Sequence, residues 1–263
     1  MDNGILLGAI AGDVIGSYYE HFRTKDYKFK LFRSRSKCTD DSKMTVAVAH
    51  WLLEGDRSAD NLVHYLQVYG RKYPGGYGRA FMNWLFSDNP HPYNSYGNGS
   101  AMRVSPIGWA FDTLEETLEV AKQSAEVTHD HPEGIKGAQS VAACIFMARS
   151  GKNKQEIKEF VEKAFDYDLN RTCDEIRPDY RFEVSCQKSV PESIIAFLES
   201  SDFESAIRLA VSLGGDADTQ GAIAGSIAEA YYGSVPDDIK DEVMARIPNE
   251  FVEVMSRFYL KYK

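Results

Sequence analysis

The stretch Gly214-Gly215-Asp216-Ala217-Asp218-Thr219 places two carboxylates and a hydroxyl directly before a run of small residues, Gln220-Gly221-Ala222-Ile223-Ala224-Gly225. Positions i and i+2 of a regular helix point about 200° apart, so the two Asp side chains converge only if the helix has not begun at the first of them. The two glycines permit an irregular turn, and we predict Asp218 as the N-cap of the next helix. Such a turn suits a hard cation held by oxygen atoms, and it equally suits an Asp-rich cap with no ligand.

A second cluster of the same kind, Thr39-Asp40-Asp41-Ser42, precedes the helical run 44–53. An Asp at a helix start is commonplace, because it stabilises the unpaired N–H groups of the first turn. Two adjacent Asp residues behind a Thr are less common, and they repeat the hydroxyl-and-carboxylate composition of residues 216–219. The two clusters could therefore form the two halves of one metal site.

Residues 3–18 are predicted to form a helix with a small-residue surface. Its apolar residues repeat every four positions, and the residues between them include several Gly and Ala. Such a surface permits close packing against another helix, and residues 221–230 have the same character. Asp13 and Glu20 are seven positions apart, which would place them on one side of the helix. For Asp13 we favour a solvated face.

Amphipathic periodicity and capping residues predict further helices along the chain. Ser58, Asp202 and the pairs Thr113/Glu116, Asn153/Glu156 and Ser189/Glu192 are interpreted as helix caps. The predicted helices span residues 58–70, 78–86, 114–127, 132–150, 153–167, 189–199, 203–213, 219–232, 236–246 and 249–261. No convincing period-2 pattern, repeat or linker interrupts them. The predicted fold class is therefore all-α, as a single domain over residues 1–263.

Two loops carry polar motifs beside predicted helix starts. The first, residues 87–100, ends in Tyr96-Gly97-Asn98-Gly99-Ser100 and leads into Ala101-Met102-Arg103. Glycines beside a helix start can offer N–H groups to phosphate, although an ordinary surface turn has this composition more often. The second, Thr128-His129-Asp130-His131-Pro132, holds two His residues that could line a site or form an exposed cap.

The segment 21–37 is basic and aromatic, and we predict a loop there. Its eight Lys, Arg and His residues could form a nucleic-acid platform. The chain as a whole carries a net charge of −9, which disfavours broad binding to nucleic acid or anionic lipid. A bound metal or helix N-termini can still attract a small anionic ligand. We therefore expect no nucleic-acid or membrane partner.

The four cysteines, Cys38, Cys144, Cys173 and Cys186, show no close metal-type spacing, and we interpret them as reduced thiols. The first residues, MDNGILLGAIAGD, have no basic segment before a short apolar run, so they do not resemble a signal peptide. No run approaches the ~20 apolar residues that span a bilayer. These features predict a cytoplasmic location.

Five segments of the chain occur in the order found in one enzyme family. They are Gly8-Ala9-Ile10-Ala11-Gly12-Asp13 with Glu20, Thr39-Asp40-Asp41-Ser42 with Met44-Thr45, Gly97-Asn98-Gly99-Ser100-Ala101-Met102-Arg103, Thr128-His129 with Pro132, and Gly214-Gly215-Asp216-Ala217-Asp218-Thr219. Each segment alone is weak evidence, but the ordered set spans residues 8–219 and is highly specific. The chain resembles the ADP-ribosylglycohydrolase family, which includes the dinitrogenase reductase-activating glycohydrolase and the animal ADP-ribosyl-acceptor hydrolases.

The resemblance implies a compact, orthogonal all-α domain that holds two divalent cations, magnesium or manganese, in a central cleft. Oxygen ligands suit such cations, and no Cys/His set suggests zinc. The implied metal ligands are Thr39, Asp40, Asp41, Asp216, Asp218 and Thr219. The implied catalytic residues are Glu20 and Asp41, which are the two candidates for the general base. The implied substrate-binding residues are Gly97, Asn98, Gly99, Ser100, Met102, His129 and His131.

The implied reaction releases ADP-ribose from a modified protein or conjugate, most simply by cleaving the N-glycosidic bond to arginine. A serine O-linkage or poly(ADP-ribose) is the first alternative, because acceptor-side loops vary within the family. A hydrolase of another ribosyl or nucleotide substrate and a nonenzymatic ADP-ribose-binding module are the others. Ser42 stands where many members carry Thr, and Cys38 stands where many carry an aromatic or aliphatic residue. Neither departure removes a carboxylate, and the complete acidic set favours an active enzyme.

Overall fold

The computed structural model describes residues 5–263, and these residues form fifteen helices and no strand. In chain order the helices are α1 (Leu7–His21), α2 (Asp40–Glu54), α3 (Ala59–Lys72), α4 (Arg79–Leu85), α5 (Gly99–Met102), α6 (Ser105–Ala110), α7 (Leu114–Glu126), α8 (Pro132–Arg149), α9 (Lys154–Phe165), α10 (Cys173–Ile176), α11 (Cys186–Glu199), α12 (Phe203–Val211), α13 (Ala217–Tyr232), α14 (Asp237–Met244) and α15 (Asn249–Tyr262). The all-α prediction is confirmed. Residues 3 and 4 of the first predicted helix lie outside the described residues.

Helices α1 and α13 pack antiparallel through small residues at four-residue spacing. The opposed pairs are Gly8 with Gly225, Gly12 with Gly221, and Gly16 with Ala217. A Cβ atom added to Gly12 would lie 1.9 Å from the carbonyl oxygen of Gly221, so the two backbones are in direct contact. This contact confirms the close packing predicted for both helices. It also brings the C-terminal half of α1 against the first turn of α13.

The apolar core surrounds α13. Residues 217–230 are all buried, and α8, α11 and α12 pack against this helix together with α1. Helix α2 packs against α3 and α15. A single cluster of buried apolar side chains connects these helices. The packing fixes the N-terminus of α13, which carries the Asp216-Ala217-Asp218-Thr219 motif.

Local capping patterns predict most of the helix starts correctly. Ser58, Asn153 and Asp202 each accept a hydrogen bond from a first-turn N–H group, at the starts of α3, α9 and α12. Thr113 does the same for α7, and Pro132 occupies the first turn of α8. These interactions involve residues three or fewer positions apart, so sequence alone can indicate them.

Helix α11 begins at Cys186, three residues before the predicted capping box. The backbone N–H of Cys186 donates to the Tyr96 carbonyl at 2.8 Å, so a contact from a distant loop sets the start of the helix. Glu192, the expected partner of Ser189 in the box, forms an ion pair with Arg171 instead. The capping-box prediction at Ser189 is wrong because this tertiary contact extends the helix backwards.

None of the described helices combines the length and apolar character that a membrane crossing requires. The four cysteines are free thiols, as predicted, and three of them are buried. Burial raises the pKa of the Cys38 thiol to about 11, so this residue is protonated at neutral pH. It therefore lacks the thiolate that a reactive cysteine needs.

Candidate active site

The turn between α12 and α13 brings the carboxylates of the first motif together. Gly214 has a φ of +69°, a left-handed conformation that glycine adopts without strain. Asp216 occupies the N-cap position with non-helical angles, and α13 begins at Ala217. The prediction that Asp218 caps this helix is wrong, because Asp218 already lies in the first turn. The two carboxylates can still converge, since Asp216 precedes the helix.

The start of α2 supplies the second set of oxygen atoms. Thr39 is the N-cap, and its hydroxyl accepts from the Asp41 N–H at 3.4 Å. Asp40 and Asp41 fill the first turn. Asp41 is 2% exposed, and its Oδ1 atom has no hydrogen-bond partner among the described residues. A buried carboxylate oxygen without a donor is energetically costly unless a cation binds it.

Asp13 is fully buried, so the prediction of a solvated face is wrong. Its carboxylate accepts from the Thr39 N–H at 2.9 Å, the Thr39 hydroxyl at 2.7 Å and the Ser42 N–H at 3.1 Å. The Ser42 hydroxyl donates to it as well. The cause is tertiary, because the first turn of α2 lies directly on this face of α1. Asp13 therefore joins the candidate site.

The acidic side chains form two groups that share one residue. The first carboxylate group is Asp13, Asp41 and Asp218, and the second is Glu20, Asp216 and Asp218. Within each group, one oxygen per residue lies within 4.8 Å of the others. Because Asp13 and Glu20 both lie close to Asp218, the grouping supports the prediction that they are on one side of α1. Each group offers only oxygen ligands, as magnesium and manganese prefer, so the residues fit a divalent cation.

Burial and mutual repulsion both raise the pKa values of these carboxyl groups. For Asp218, burial raises the pKa most, and the charges of Asp216 and Asp41 raise it further. Burial likewise raises the pKa of Asp41 well above its ordinary value, with the charge of Asp13 adding to the effect. Asp40, at the edge of the cluster, has a pKa raised by burial to about 7. A bound cation would offset this accumulation of negative charge.

The metal-free protein is expected to lose stability between about pH 4 and pH 8. Raised pKa values mean that the folded state holds more protons than the unfolded state over this range. The folded state keeps its full stability while the pH is below the pKa that these carboxyl groups have in the unfolded chain. That stability is lost as the pH rises through their pKa in the folded protein, which is about 7 for Asp40. The melting temperature of chelator-treated protein should fall from pH 5 to pH 8. Saturating Mg²⁺ or Mn²⁺ should raise it more at pH 8 than at pH 5.

Glu229 is the internal control for this experiment. It is a buried carboxyl group of α13 whose pKa burial raises to about 8, and it does not line the cleft. Like the cleft carboxyl groups, Glu229 lowers the stability of the folded protein as the pH rises, but its effect should not depend on metal. Glu229→Gln should therefore leave the metal-dependent increment unchanged. An increment of equal size at both pH values would contradict the cation site.

The carboxylates other than Asp13 face a cleft of about 400 Å³. Residues from seven segments of the chain line it: Glu20, Asp40, Asp41, Gly76, Tyr77, Gly78, Arg79, Ala80, Phe81, Tyr93, Ser95, Gly97, Asn98, Gly99, Met102, Arg103, His129, Phe182, Val184, Asp216, Asp218 and Thr219. Asn98 connects the glycine-containing loop to the carboxylates, because its side-chain amide donates to Asp216 at 2.8 Å. The cleft thus brings together most of the predicted metal and substrate residues.

His129 lies in the cleft wall as an uncharged side chain. Burial lowers the pKa of its imidazole well below the ordinary value, and the nearby Arg103 charge lowers it further. Its Nδ1 atom lies 2.6 Å from the Thr128 hydroxyl. A Cβ atom added to Gly99 would lie 3.0 Å from the Nε2 atom of His129. The absence of a side chain at Gly99 therefore allows the imidazole ring to lie close to this loop.

Three residues of the predicted site do not line the cleft. The Thr39 hydroxyl is directed at the carboxylates of Asp13 and Asp41. The Ser100 hydroxyl donates to the Gly134 carbonyl at 2.7 Å. His131 caps α8, where its Nδ1 accepts from a backbone N–H at 3.1 Å. The sequence left two interpretations for these histidines, a helix cap or a site residue. His131 is a helix cap, and His129 lines the cleft.

Sequence reasoning missed residues 76–81 of the cleft wall, and it gave no separate role to Arg103 of the segment 97–103. Arg103 is fully buried, and its guanidinium donates to the Ser124 carbonyl and the Thr128 hydroxyl, both at 2.8 Å. Burial lowers the pKa of Arg103 to about 10. Gly76 has a φ of +94°, and a Cβ atom there would lie 2.4 Å from Asp40 Oδ1. The Gly75-Gly76 pair was a usable signal for this close approach.

Lys25 holds the turn between α12 and α13 against two other segments. Its ammonium donates to the carbonyls of Arg177 at 2.6 Å, Tyr180 at 2.8 Å and Leu213 at 2.5 Å. Leu213 directly precedes Gly214, so the loop that follows α1 is fastened to the turn before α13. This interaction helps to keep the Glu20 end of α1 beside Asp216.

The described residues form an all-α fold whose helix termini direct carboxylates into one cleft. The chain belongs to the ADP-ribosylglycohydrolase family, whose family model matches residues 3–262. The resemblance carried by the five sequence segments is therefore confirmed. The match leaves only the terminal residues uncovered.

Individual relatives align over most of the chain. It is 28% identical to ADP-ribosylhydrolase ARH3 of Homo sapiens, over 88% of this chain and 85% of that protein. It is 25% identical to ADP-ribosylarginine hydrolase Tri1 of Pseudomonas putida (strain GB-1), over 88% and 70% respectively. It is 26% identical to ADP-ribosyl-[dinitrogen reductase] glycohydrolase of Rhodospirillum rubrum, over 93% and 89%. Two of these names state an acceptor, which is arginine in one and dinitrogen reductase in the other.

A solved structure has the same fold. It is described as an ADP-ribosylglycohydrolase-related protein complex, and it superposes with a TM-score of 0.77. The superposition covers 99% of this chain and 97% of the other, at 23% sequence identity. At this identity the comparison supports the all-α architecture alone.

Proposed function

We propose that this protein is a metal-dependent hydrolase that releases ADP-ribose from modified proteins by cleaving the N-glycosidic bond to arginine. The observation that carries the proposal is the pair of carboxylate groups that share Asp218 and face the cleft beside Gly97. Family membership supports ADP-ribose as the released group. One relative, named for ADP-ribosylarginine, supports the arginine linkage.

The two carboxylate groups would each hold a divalent cation, with Asp218 shared between them. Asp40, Thr39 and Thr219 are the further oxygen donors nearby. Magnesium or manganese, when bound, supplies Lewis acidity that lowers the pKa of water and neutralises the carboxylates. The absence of Cys and His from both groups agrees with hard cations.

The loop after Tyr96 is the proposed site for the pyrophosphate. The backbone N–H groups of Gly99 and Ser100 donate to no acceptor among the described residues. Gly99 lines the cleft, where its N–H can bind an anion. Ser100 would thus contribute its amide, since its hydroxyl is bound to Gly134. Phe182, 40% exposed at the cleft rim, offers an aromatic face on which adenine could stack.

Glu20 is the general base in this proposal. Its side chain is 28% exposed at the cleft, where water can reach it. Asp41 is 2% exposed, so water reaches its carboxylate less readily than that of Glu20. Burial and the charge of Asp216 raise the pKa of Glu20, which makes it a stronger proton acceptor.

The proposed reaction is a single hydrolysis. Glu20 takes a proton from water, and the water oxygen attacks the anomeric carbon of the ribose next to the acceptor. The bond from this carbon to the guanidinium nitrogen breaks, and its electron pair stays on the nitrogen. The proton held by Glu20 then passes to the leaving group, which gives ADP-ribose and unmodified arginine. The surrounding carboxylates stabilise the positive charge that develops on the sugar.

Glu20→Gln should lower kcat by about 10²- to 10⁴-fold, because it removes the proton acceptor and keeps the shape of the side chain. The Kd for ADP-ribose, measured by calorimetry, should change by less than about threefold if Glu20 acts mainly in the chemical step. Glu126→Gln, at the C-terminal end of α7 and outside the cleft, is the matched control. Wild-type turnover in Glu20→Gln would exclude Glu20 as the base.

The linkage is tested with arginine-, serine- and poly-ADP-ribosylated substrates in parallel. Release of ADP-ribose, quantified by mass spectrometry, is expected from the arginine substrate and only with metal present. Release from serine or poly(ADP-ribose) alone would replace the proposed linkage with the corresponding alternative. Binding of ADP-ribose without release from any substrate would identify a binding module.

We also propose that residues 1–263 act as one ADP-ribosylglycohydrolase-like domain in the cytoplasm. The single apolar core cluster of the described residues supports one domain, and four free thiols agree with a reducing compartment. The proposed partner is an ADP-ribosylated protein or ADP-ribose conjugate. The net charge of −9 weighs against nucleic acid or an anionic membrane as a general partner.

A further inference from the structure

A second cavity, of about 760 Å³, adjoins the cleft. Glu20, Asp40 and Gly76 line both spaces, so the two carboxylates stand on the boundary between them. The glycine-containing loop and His129 line only the cleft. A substrate whose scissile bond lies at this boundary would extend into both spaces.

The wall of the second cavity is basic, in contrast to the cleft. Arg35, Lys37 and Lys43 line it, and we call these three residues the basic wall. The Lys43 ammonium donates to the Gly75 carbonyl at 2.8 Å. Arg35 and Lys37 are exposed, and within residues 5–263 neither side chain forms an ion pair or a hydrogen bond. They are therefore free to bind an external anion.

The charge of this loop opposes that of the whole chain. Residues 21–37 contain seven Lys and Arg residues against one Asp, whereas the complete chain has nine more acidic than basic residues. Part of the positive charge has partners within the protein. Lys25 donates to three carbonyls, and the guanidinium groups of Arg23 and Arg33 lie 5.0 Å from the ring centres of Phe182 and Tyr18. Arg35 and Lys37 have no such contacts.

The cavity also has an aromatic surface beside the basic wall. Tyr18 and Phe22 both line it, and their rings stack with centroids 4.7 Å apart. Phe22 is 52% exposed, which is high for a large apolar side chain. A peptide segment could place aliphatic groups on these rings and carboxylates against the basic wall.

We propose that the second cavity binds the acceptor protein and selects acidic residues beside the modified side chain. The inference rests on the proposed function, because it places ADP-ribose in the cleft and the acceptor across the boundary formed by Glu20 and Asp40. The unpaired N–H group of Gly99, which lines the cleft, is the proposed donor to the pyrophosphate on that side. Acidic side chains of the acceptor are then the anions that complement Arg35 and Lys37.

The test compares three substrates: free ADP-ribosylarginine, a peptide with ADP-ribosylarginine between Asp and Glu residues, and the same peptide with Asn and Gln. The wild-type protein should prefer the acidic peptide by roughly tenfold in kcat/KM, and the preference should shrink at high salt. The double variant Arg35→Glu/Lys37→Glu should abolish the preference, and it should lower kcat/KM for the acidic peptide more than for free ADP-ribosylarginine. Lys28→Glu/Lys30→Glu changes the same loop by the same charge outside the cavity, and it should keep the preference.

Anisotropy of a fluorescent, unmodified acidic peptide separates this inference from the proposed function. Absence of ADP-ribosylarginine hydrolysis would refute the proposed function. Peptide binding that is lost in the Arg35/Lys37 variant and kept in the Lys28/Lys30 variant would still support the acceptor site, and unchanged binding would overturn it.

Three further results would also overturn the acceptor site. Equal kcat/KM for the acidic and neutral peptides would remove the charge preference. An equal loss on free ADP-ribosylarginine in the Arg35/Lys37 variant would assign the basic wall to the pyrophosphate. Tighter binding of a single-stranded oligonucleotide than of the peptide, lost in the same variant, would assign it to nucleic acid.

Discussion

The Asp218→Asn variant is expected to lose more than about 100-fold in kcat/KM, which is the upper range for residues that only support a metal ligand. Asp218 is the one residue common to both carboxylate groups, so the substitution weakens both cation sites at once. Mn²⁺ affinity, measured by calorimetry, should fall with activity. Excess Mn²⁺ should restore only part of the turnover.

The same variant should not be less stable than the wild type when both are metal-free at pH 8. Burial and neighbouring charges raise the pKa of Asp218, so its ionised form destabilises the folded chain, and an amide removes that charge. Asp238→Asn is the matched control, because Asp238 is exposed at the same position in the first turn of α14. Full metal affinity in Asp218→Asn would contradict the shared-ligand assignment.

Gly12→Ala is expected to destabilise the protein by about 3 kcal/mol or more, the upper range for overpacking a core. A Cβ atom there would meet three backbone atoms of α13 within 2.5 Å, and backbone atoms cannot move aside as a flexible side chain can. Helices α1 and α13 would have to separate, which would also move Asp13 away from Asp218. Urea unfolding should therefore show a lower free energy of unfolding, and Mn²⁺ titration should show a lower affinity for the metal.

Gly78→Ala is the control for added volume, since a Cβ atom at Gly78 meets nothing within 4 Å. Its effect should stay within about 1 kcal/mol, the usual size of an N-cap change. By contrast, replacing an exposed glycine in the middle of a helix with alanine would stabilise the folded protein by about 1 kcal/mol. A stabilised Gly12→Ala protein would therefore refute direct contact between the two helices.

Sequence reasoning succeeded for the parts of the fold that depend on neighbouring residues. The caps at Ser58, Asn153 and Asp202 are short-range interactions, and the small-residue surface of α1 is visible in its four-residue spacing. The start of α11 at Cys186 was missed because a distant backbone carbonyl sets it. Helix α10 lies outside every predicted helix, because four residues carry too little periodicity to indicate one.

Site residues could be predicted where several functional side chains occur together in one sequence motif. They could not be predicted where tertiary packing determines whether a side chain reaches the cleft. The Asp-rich clusters at residues 40–41 and 216–218 are conspicuous in sequence, and the structure brings them to one cleft. Asp13 looked like one surface acid among many, because only the packing of α2 on α1 buries it. His131 shares a motif with His129, yet the helix start that His131 caps directs it away from the cleft.

Metal-dependent release of ADP-ribose is the most direct test of the central claim, which is that the two carboxylate groups form one hydrolytic cation site. The protein is stripped with chelator and incubated with an arginine-ADP-ribosylated protein, and free ADP-ribose is measured as Mg²⁺ or Mn²⁺ is added back. We predict no release in chelator, release that rises and saturates with metal, and no recovery in Asp218→Asn at the same concentrations. Full release in chelator, or wild-type release from Asp218→Asn, would contradict the account.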